Sequence, residues 1–181
     1  MNKHNFAPTI LRAYDIRGIY QDTLTEADAH AIGMAFIATL RQRGHGVTVA
    51  VGRDGRLSSP ALAAALIDGL VQAGGEVRDI GCGPTPMLYF AGVTWQCDGA
   101  IQVTGSHNPP THNGFKMVMN GKSFFGDDIQ QLGQISAAGV ANGDGGSVTE
   151  TAIFNDYVNR LLQQADAGDL SIIWDCGNGA A

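Results

Sequence analysis

The sequence has little that would cross-link the chain or anchor it to a membrane. Its three cysteines, Cys82, Cys97 and Cys176, are odd in number and widely separated, so they form neither a disulfide framework nor a zinc-binding spacing. No apolar run approaches the length of a membrane span, and residues 1–18 lack the apolar core of a secretory signal. We therefore expect buried free thiols, a soluble cytoplasmic protein and no membrane partner.

Basic residues are also scarce. The chain has 11 Lys and Arg against 17 Asp and Glu, which gives a formal net charge of −6. A general nucleic-acid binder normally needs a basic face, so nucleic acid is not an expected partner. The acidic total still permits a local basic pocket for a small anion. Hydrophobic residues make up 44% of the chain, which is enough for a sizeable core and excludes wholesale disorder.

The apolar residues alternate between strand-like runs and helix-like stripes. Strands are predicted at 47–52, 76–81, 99–104, 114–119 and 170–175. Helices are predicted from Thr25 with Asp28 completing a capping box, from Ser58 or Ser59, and at 87–93, 128–138 and 151–165. This alternation predicts an α/β fold, with a mixed, mainly parallel sheet layered between helices.

A glycine-rich run at 137–148 is either a domain boundary or a flexible hairpin. We place the first domain at 1–148 and the first elements of a second, similar domain at 149–181. A strand followed by a glycine turn, as at 170–179, normally feeds a covering helix, so the chain is expected to be a fragment. Trp95 and Trp174 are expected in the core.

Several candidate reactive side chains lie together in the segment TGSHNPPTHNGFK, residues 104–116, which follows a predicted strand. Ligands of α/β proteins gather beyond the carboxyl ends of such strands. Ser106 follows a glycine and precedes two prolines, so its hydroxyl is held on a stiff curve. A phosphate ester on that hydroxyl would need donors and cations around it. The nearby candidates are His107, Asn108 and Lys116.

Two further segments, RAYDIRG and VGRDGRLSS, place arginine beside aspartate and glycine. Arg17 and Arg53 are candidates for the same anion site, because a guanidinium group recognises phosphate through two parallel hydrogen bonds. Alternatively, Asp15–Arg17 and Arg53–Asp54 are structural pairs, and Ser106 only caps a turn.

A serine hydrolase is the weaker interpretation of Ser106. The sequence lacks the G-x-S-x-G turn around this serine. In addition, the side chain of the adjacent His107 is expected to diverge from the serine rather than face it across a pocket.

Four motifs in order, RAYDIRG, VGRDGRLSSP, GPTPM and TGSHNPPTHNGFKM, span residues 12–117. Together they resemble the α-D-phosphohexomutase family, and the form TGSHNPP…NGFKM is most similar to its bifunctional phosphomannomutase/phosphoglucomutase branch. The terminal DCGNGAA is similar to the opening of the second domain in that family.

The resemblance implies an intramolecular phosphotransferase that interconverts hexose 6-phosphate and hexose 1-phosphate of mannose, glucose or both. It implies a phosphoserine at Ser106, a bisphosphorylated sugar intermediate and a four-domain enzyme in which domains 2–4 are the partner of this piece. The implied catalytic residues are Ser106, His107, Lys116 and Arg17, and the implied substrate-binding residues are Tyr14, Arg17, Asn108 and Lys116.

The resemblance also implies a Mg²⁺ ion. Ser106, through its phosphate, would be its ligand here, and the remaining ligands would lie beyond residue 181. We therefore expect the 181-residue chain alone to be inactive. The alternative function is a non-catalytic module that binds sugar phosphates.

Overall fold

A computed structural model describes residues 1–166, 168–175, 177, 179 and 180 of the chain. Its strands are β1 (Ile16–Ile19), β2 (Thr48–Arg53), β3 (Glu76–Cys82), β4 (Gly99–Val103), β5 (His112–Met119), β6 (Lys122–Phe124) and β7 (Ser147–Glu150). Its helices are α1 (Glu26–Gln42), α2 (Ser59–Gln72), α3 (Thr85–Thr94), α4 (Asp127–Ala138) and α5 (Phe154–Leu162).

The strands form one mixed sheet in the order β1-β5-β4-β2-β3-β7, and β6 adds to the free part of β5. β4, β2, β3 and β7 pair in parallel. β5 pairs antiparallel with β1, β4 and β6, so it alone of the described strands opposes the common direction. This arrangement confirms the predicted mixed, mainly parallel sheet.

Helices cover both faces of the sheet, as predicted. The larger core lies under α1, α2 and α4 and takes in Val49, Ile101 and Phe115 from the strands. The other face packs against α3, whose Leu88 lies in a smaller cluster with Ala50 and Ala100. Neighbouring strand residues point to opposite faces. The two clusters therefore show which face of the sheet each site residue on β1, β4 and β5 occupies.

The helix termini follow local chemistry. The Thr25 hydroxyl accepts from the amide of Asp28, and the Asp28 carboxylate accepts from the amide of Thr25, so the predicted capping box is confirmed. α2 begins at Ser59 with Pro60 in its first turn. α3 begins at Thr85, two residues before the predicted start, because Pro86 also suits a first helical turn. No helix in the described part of the chain is long and apolar enough to cross a membrane.

The predicted strand at 170–175 is wrong. These residues form no strand, and Trp174, predicted in the core, is 82% exposed. A strand is stable only when a neighbour satisfies its backbone groups, and the described residues form no ladder with this segment. Its apolar pattern is correctly identified, but it has no partner to pack on in the described chain.

The glycine-rich run at 137–148 leads from α4 into β7 at the edge of the sheet. β7 pairs in parallel with β3 and continues past residue 148 to Glu150. Beyond it, Ile153 is 1% exposed and packs in a cluster with Met87 and Ala91 of α3. Packing on the first domain thus continues into α5, while the division into domains at 148 and 149 stays a prediction.

α1 and α2 cross at two glycines. A Cβ added to Gly69 of α2 would lie 2.0 Å from the carbonyl oxygen of His30, and one on Gly33 of α1 would lie 2.4 Å from the carbonyl oxygen of Leu66. Both obstacles are backbone atoms, which cannot rotate away. The two helices therefore approach as closely as they do because neither residue has a side chain.

We expect Gly69→Ala to destabilise the chain by about 2–3 kcal/mol, because overpacking outweighs the helix propensity gained from alanine. The measurement is urea unfolding followed by circular dichroism. Gly92→Ala in α3 is the matched control, since its Cβ would meet Ala100 at an ordinary 3.4 Å. The control should be neutral or stabilising, and equal effects at the two glycines would contradict the close-contact argument.

Candidate active site

Ser106 lies on the loop that leaves the carboxyl end of β4, as predicted. Its side chain is exposed, and its backbone has φ of 52°, in the left-handed region that non-glycine residues rarely adopt. Its amide donates to the Thr104 hydroxyl at 3.0 Å. The Asn108 side chain donates to the carbonyl of Gly105 at 2.9 Å and closes the turn around the serine. The loop thus presents the hydroxyl outward on a folded, hydrogen-bonded turn.

Asp54, at the end of β2, holds the start of this loop. Its carboxylate accepts from the Thr104 hydroxyl at 2.9 Å and from the Gly105 amide at 3.0 Å. It also accepts from the Ser59 hydroxyl at 2.5 Å and from the Arg56 amide at 3.0 Å. One carboxylate therefore ties the serine loop to the β2–α2 loop.

A buried amide extends this network to β5. Asn113 is fully buried, and its side-chain nitrogen donates to the hydroxyls of Ser58 and Ser59 at 2.8 and 2.9 Å. The serines predicted as alternative helix caps thus bind Asn113, and the Ser58 hydroxyl makes no capping bond. Buried networks in which each polar group is satisfied specify a single local structure.

Arg17 and Lys116 lie on the same face of the sheet. Ile16 and Phe115 are paired across β1 and β5 and both lie in the main core, so the residue after each points to the opposite, α3 side. Arg17 is paired with Gly114, two positions from Lys116 on β5. Such diagonal neighbours have Cα atoms about 7–8 Å apart.

The strand register relates this pair of cations to β4, the strand that precedes the serine loop. Lys116 is directly opposite Gln102 of β4, and Gly114, beside Arg17, accepts a hydrogen bond from the amide of Thr104 at 2.9 Å. The register therefore places Lys116 next to β4, the strand that delivers Ser106, and Arg17 one strand further away, on β1.

The charges of the two cations differ in how they are balanced. Arg17 pairs with Asp15, which is 8% exposed, so the alternative of an Asp15–Arg17 pair is confirmed. The Nε atom of Arg17 is nonetheless buried with no hydrogen-bond partner among the described residues. No carboxylate of the described residues lies within ion-pair distance of Lys116. Lys116 therefore supplies uncompensated positive charge on this face.

His107 does not diverge from Ser106 as expected. The serine Oγ and the histidine Nδ1 lie 3.2 Å apart. Within the described ranges, however, no carboxylate lies within hydrogen-bond distance of the His107 ring, so the third member that orients a hydrolytic triad is absent there. The contact places a ring nitrogen within hydrogen-bond distance of the serine hydroxyl but does not make a triad.

A cavity of about 530 Å³ opens beside the serine and is lined by Ser106, Thr104, Gln102, Asp54, Gly83 and Thr85, among others. Gln102 is 1% exposed, and its side-chain nitrogen donates to the carbonyl of Gly83 at 2.9 Å. This bond links β4 to the start of α3. The cavity thus lies at the carboxyl ends of adjacent parallel strands, where α/β sheets bind their ligands.

Other predicted residues lie elsewhere. Tyr14 is 83% exposed in the turn before β1. Arg53 forms no ion pair with Asp54; it lines a different cavity, with Asp79 and Glu150. The alternative of an Arg53–Asp54 structural pair is therefore wrong, because alternation along β2 carries the two adjacent side chains to different surroundings. Cys97 is half-buried, and burial raises the pKa of its thiol, whereas Cys82 is exposed and Cys176 lies outside the described residues.

The described residues contain no group of three or more histidine, cysteine, aspartate or glutamate side chains that could hold a metal ion. Asp54, whose carboxylate binds the start of the serine loop, already accepts four hydrogen bonds. The side chains described here do not fit a Mg²⁺ site by themselves.

The fold and the site define a class of protein domain: an α/β/α layer structure that presents a serine loop at the carboxyl end of a parallel strand. Residues 8–141 match the family model described as phosphoglucomutase/phosphomannomutase, alpha/beta/alpha domain I. The chain belongs to this family, which confirms the resemblance seen in its motifs.

Relatives and solved structures agree with this assignment. The chain is 44% identical over 181 residues to a phosphomannomutase/phosphoglucomutase of Pseudomonas aeruginosa, covering 97% of this chain and 39% of that protein. It is 41% identical over 179 residues to a phosphoglucomutase of Neisseria meningitidis serogroup B, covering 97% and 38%. A crystal structure of a phosphoglucomutase/phosphomannomutase family protein from Burkholderia thailandensis matches with a TM-score of 0.81 and 43% identity, covering 88% and 36%. The chain thus spans less than two fifths of the length of these relatives.

Proposed function

We propose that this chain is the phosphoserine-bearing domain of an intramolecular phosphotransferase that interconverts hexose 6-phosphate and hexose 1-phosphate. The observation that carries the proposal is the position of Ser106, exposed in a left-handed turn at the carboxyl end of β4. Relatives named phosphomannomutase/phosphoglucomutase and phosphoglucomutase support mannose, glucose or both as the sugar.

In the proposed reaction a phosphoryl group moves from Ser106 to a hydroxyl of the sugar phosphate. The bond between phosphorus and the serine Oγ breaks, and a bond between phosphorus and the sugar oxygen forms. The hydroxyl proton of the sugar passes to the serine oxygen. The reverse transfer, from the other end of the bisphosphorylated sugar, restores the phosphoserine. Each transfer concentrates negative charge on the phosphoryl oxygens, which a nearby cation stabilises.

The chain's own residues supply this stabilisation. Lys116, with no carboxylate partner among the described residues, offers the uncompensated charge, and Arg17, paired with Asp15, offers a second cationic group. His107 lies within hydrogen-bond distance of the serine Oγ and can hold or pass its proton. We assign substrate contacts to Asn108 and Tyr14 on the strength of the family resemblance.

A Mg²⁺ ion, when bound, would neutralise charge on the phosphoryl group. The described side chains do not form its site, and only an oxygen of a phosphate on Ser106 would contribute to it here. The remaining ligands, the rest of the sugar site and domains 2–4 belong, in this proposal, to a longer protein of the relatives' size.

Phosphopeptide mapping tests the proposal directly. The longer protein is incubated with a bisphosphorylated hexose and digested. The mass of the peptide that contains residue 106 is then measured by mass spectrometry. We expect one added phosphoryl group on Ser106 together with mutase turnover. Tight binding without phosphoryl exchange would favour the non-catalytic module instead, and labelling of Ser106 by an ester-reactive probe without phosphoserine would favour a hydrolase.

The 181-residue chain alone should show no turnover of mannose 1-phosphate or glucose 1-phosphate, because the proposed metal and distal substrate sites are not in it. The assay couples formation of the 6-phosphate to a dehydrogenase. Adding the separately produced remainder of the longer protein is the control. Appreciable turnover by the chain alone would contradict the proposed division of the active site.

A further inference from the structure

The guanidinium group of Arg56 donates hydrogen bonds to the backbone of the serine loop. From the β2–α2 loop its Nη2 donates to the carbonyl oxygens of Ser106 at 2.8 Å and Asn108 at 2.6 Å. Its Nη1 donates to those of Pro109 at 2.7 Å and His112 at 3.0 Å. Four carbonyls from one seven-residue stretch thus converge on one side chain some 50 positions earlier in the chain.

These contacts use the donors of Arg56 almost completely. A guanidinium group has five N–H donors, and four are committed to carbonyl oxygens. The fifth, on Nε, lies 3.5 Å from the carboxylate of Asp54. Both terminal nitrogens of Arg56 are therefore committed to the loop and Nε faces Asp54, so the role of Arg56 at the loop is to fix the backbone.

Gly105 lets the guanidinium approach. A Cβ on this residue would lie 2.2 Å from the Nε of Arg56 and 2.3 Å from its Cζ. A side chain at residue 105 would therefore overlap the guanidinium group of Arg56. The side chain of Arg56 is 17% exposed, so its hydrogen bonds are partly shielded from water.

The hydrogen bonds from Arg56 support the left-handed backbone conformation of Ser106. A left-handed backbone costs a non-glycine residue about 1–2 kcal/mol, and it persists only where the surroundings over-determine it. Arg56 binds the carbonyl of Ser106 itself and three carbonyls after it, while Asp54 binds the amide before it. The two side chains hold the loop from both directions.

We propose that Arg56 is a positioning residue that keeps Ser106 in its exposed, left-handed conformation and so aims its hydroxyl at the incoming phosphoryl group. The part concerning phosphoryl transfer rests on the proposed function, whereas the part concerning the loop does not.

Hydrogen exchange on the 181-residue chain tests the loop part. The amides of Asn108 and His112 donate within the loop, to Gly105 and Pro109. We expect them to exchange about tenfold faster or more in Arg56→Lys, because one ammonium group cannot bridge four carbonyls and local opening becomes easier. Arg56→Ala should show the same or more, with strand amides of β2 and β4 reporting whether the variant is folded.

Arg43→Ala is the matched control. Arg43 is also a partly exposed arginine with an aspartate partner, Asp128, but its contacts lie at α4 and on the ring of Phe124. It should lower overall stability without speeding exchange in the serine loop. Unchanged loop exchange in Arg56→Lys, or equal acceleration in Arg43→Ala, would overturn the positioning role.

Kinetics of the longer protein test the catalytic part. We expect Arg56→Lys to lower kcat about 10- to 100-fold, since small misplacement of a reacting group is costly. KM should change less than about threefold, because the terminal nitrogens of Arg56 are committed to the loop. A raised KM at unchanged kcat would assign Arg56 to substrate binding and overturn the proposal. If the wild-type protein takes up no phosphoryl group while loop exchange still depends on Arg56, the proposed function fails and the loop assignment stands.

Discussion

Ser106→Ala should lower mutase turnover of the longer protein by about a thousandfold or more, because the substitution removes the atom that carries the phosphoryl group and leaves no covalent route. The Ser106 side chain is exposed and makes no bond that supports the core. Unfolding by urea should therefore be unchanged within about 0.5 kcal/mol. The measurement is initial rate against sugar 1-phosphate, together with the mass of the peptide that contains residue 106.

Ser123→Ala is the matched control, since Ser123 is another exposed serine, on β6, away from the cavity beside Ser106. It should retain full turnover and leave phosphoryl incorporation unchanged. Turnover of Ser106→Ala within a few-fold of the wild type would contradict the phosphoserine mechanism, whatever the fate of the rest of the site.

Much of the fold could be predicted because its elements carry their own signals. Thr25 and Asp28 mark the start of α1 through a local capping box, and the buried run at 47–52 identifies β2. β1 was not predicted, because IRGI is short and interrupted by an arginine and a glycine. Its strand structure comes from pairing with β5, nearly a hundred residues away, and a distant partner leaves no periodic pattern in the sequence.

The site could be predicted in part for the same reason. Ser106, His107 and Asn108 are neighbours in sequence, and a glycine and two prolines mark their loop as unusual. The roles of Asp54 and Arg56 depend on hydrogen bonds across about fifty residues. The motif VGRDGRLSS indicates that this segment is functional, and within it Arg53 is the residue predicted to bind phosphate. Only the hydrogen bonds to the loop carbonyls show that Arg56, and not Arg53, contacts the serine loop.

Lys116→Met should lower kcat/KM of the longer protein by about 10²- to 10³-fold, the usual loss when one preorganised charge is removed from a developing anion. Lys116 lies on the α3 side of β5, directly opposite Gln102 of β4. Gln102 lines the cavity beside Ser106. Methionine keeps the length and the apolar stem of lysine while removing its charge, so packing between β4 and β5 should be retained. Steady-state kinetics and the rate of phosphoryl uptake by Ser106 measure the effect.

Lys122→Met separates local charge from net charge. Lys122 is exposed on β6, the strand that pairs with the far end of β5, so its removal makes the same change in total charge. Screening by salt confines the influence of exposed charges to about 8–10 Å, and activity should stay within about twofold. Equal losses in the two variants would mean that the general field of the domain attracts the substrate, and that Lys116 has no specific place beside the transferring group.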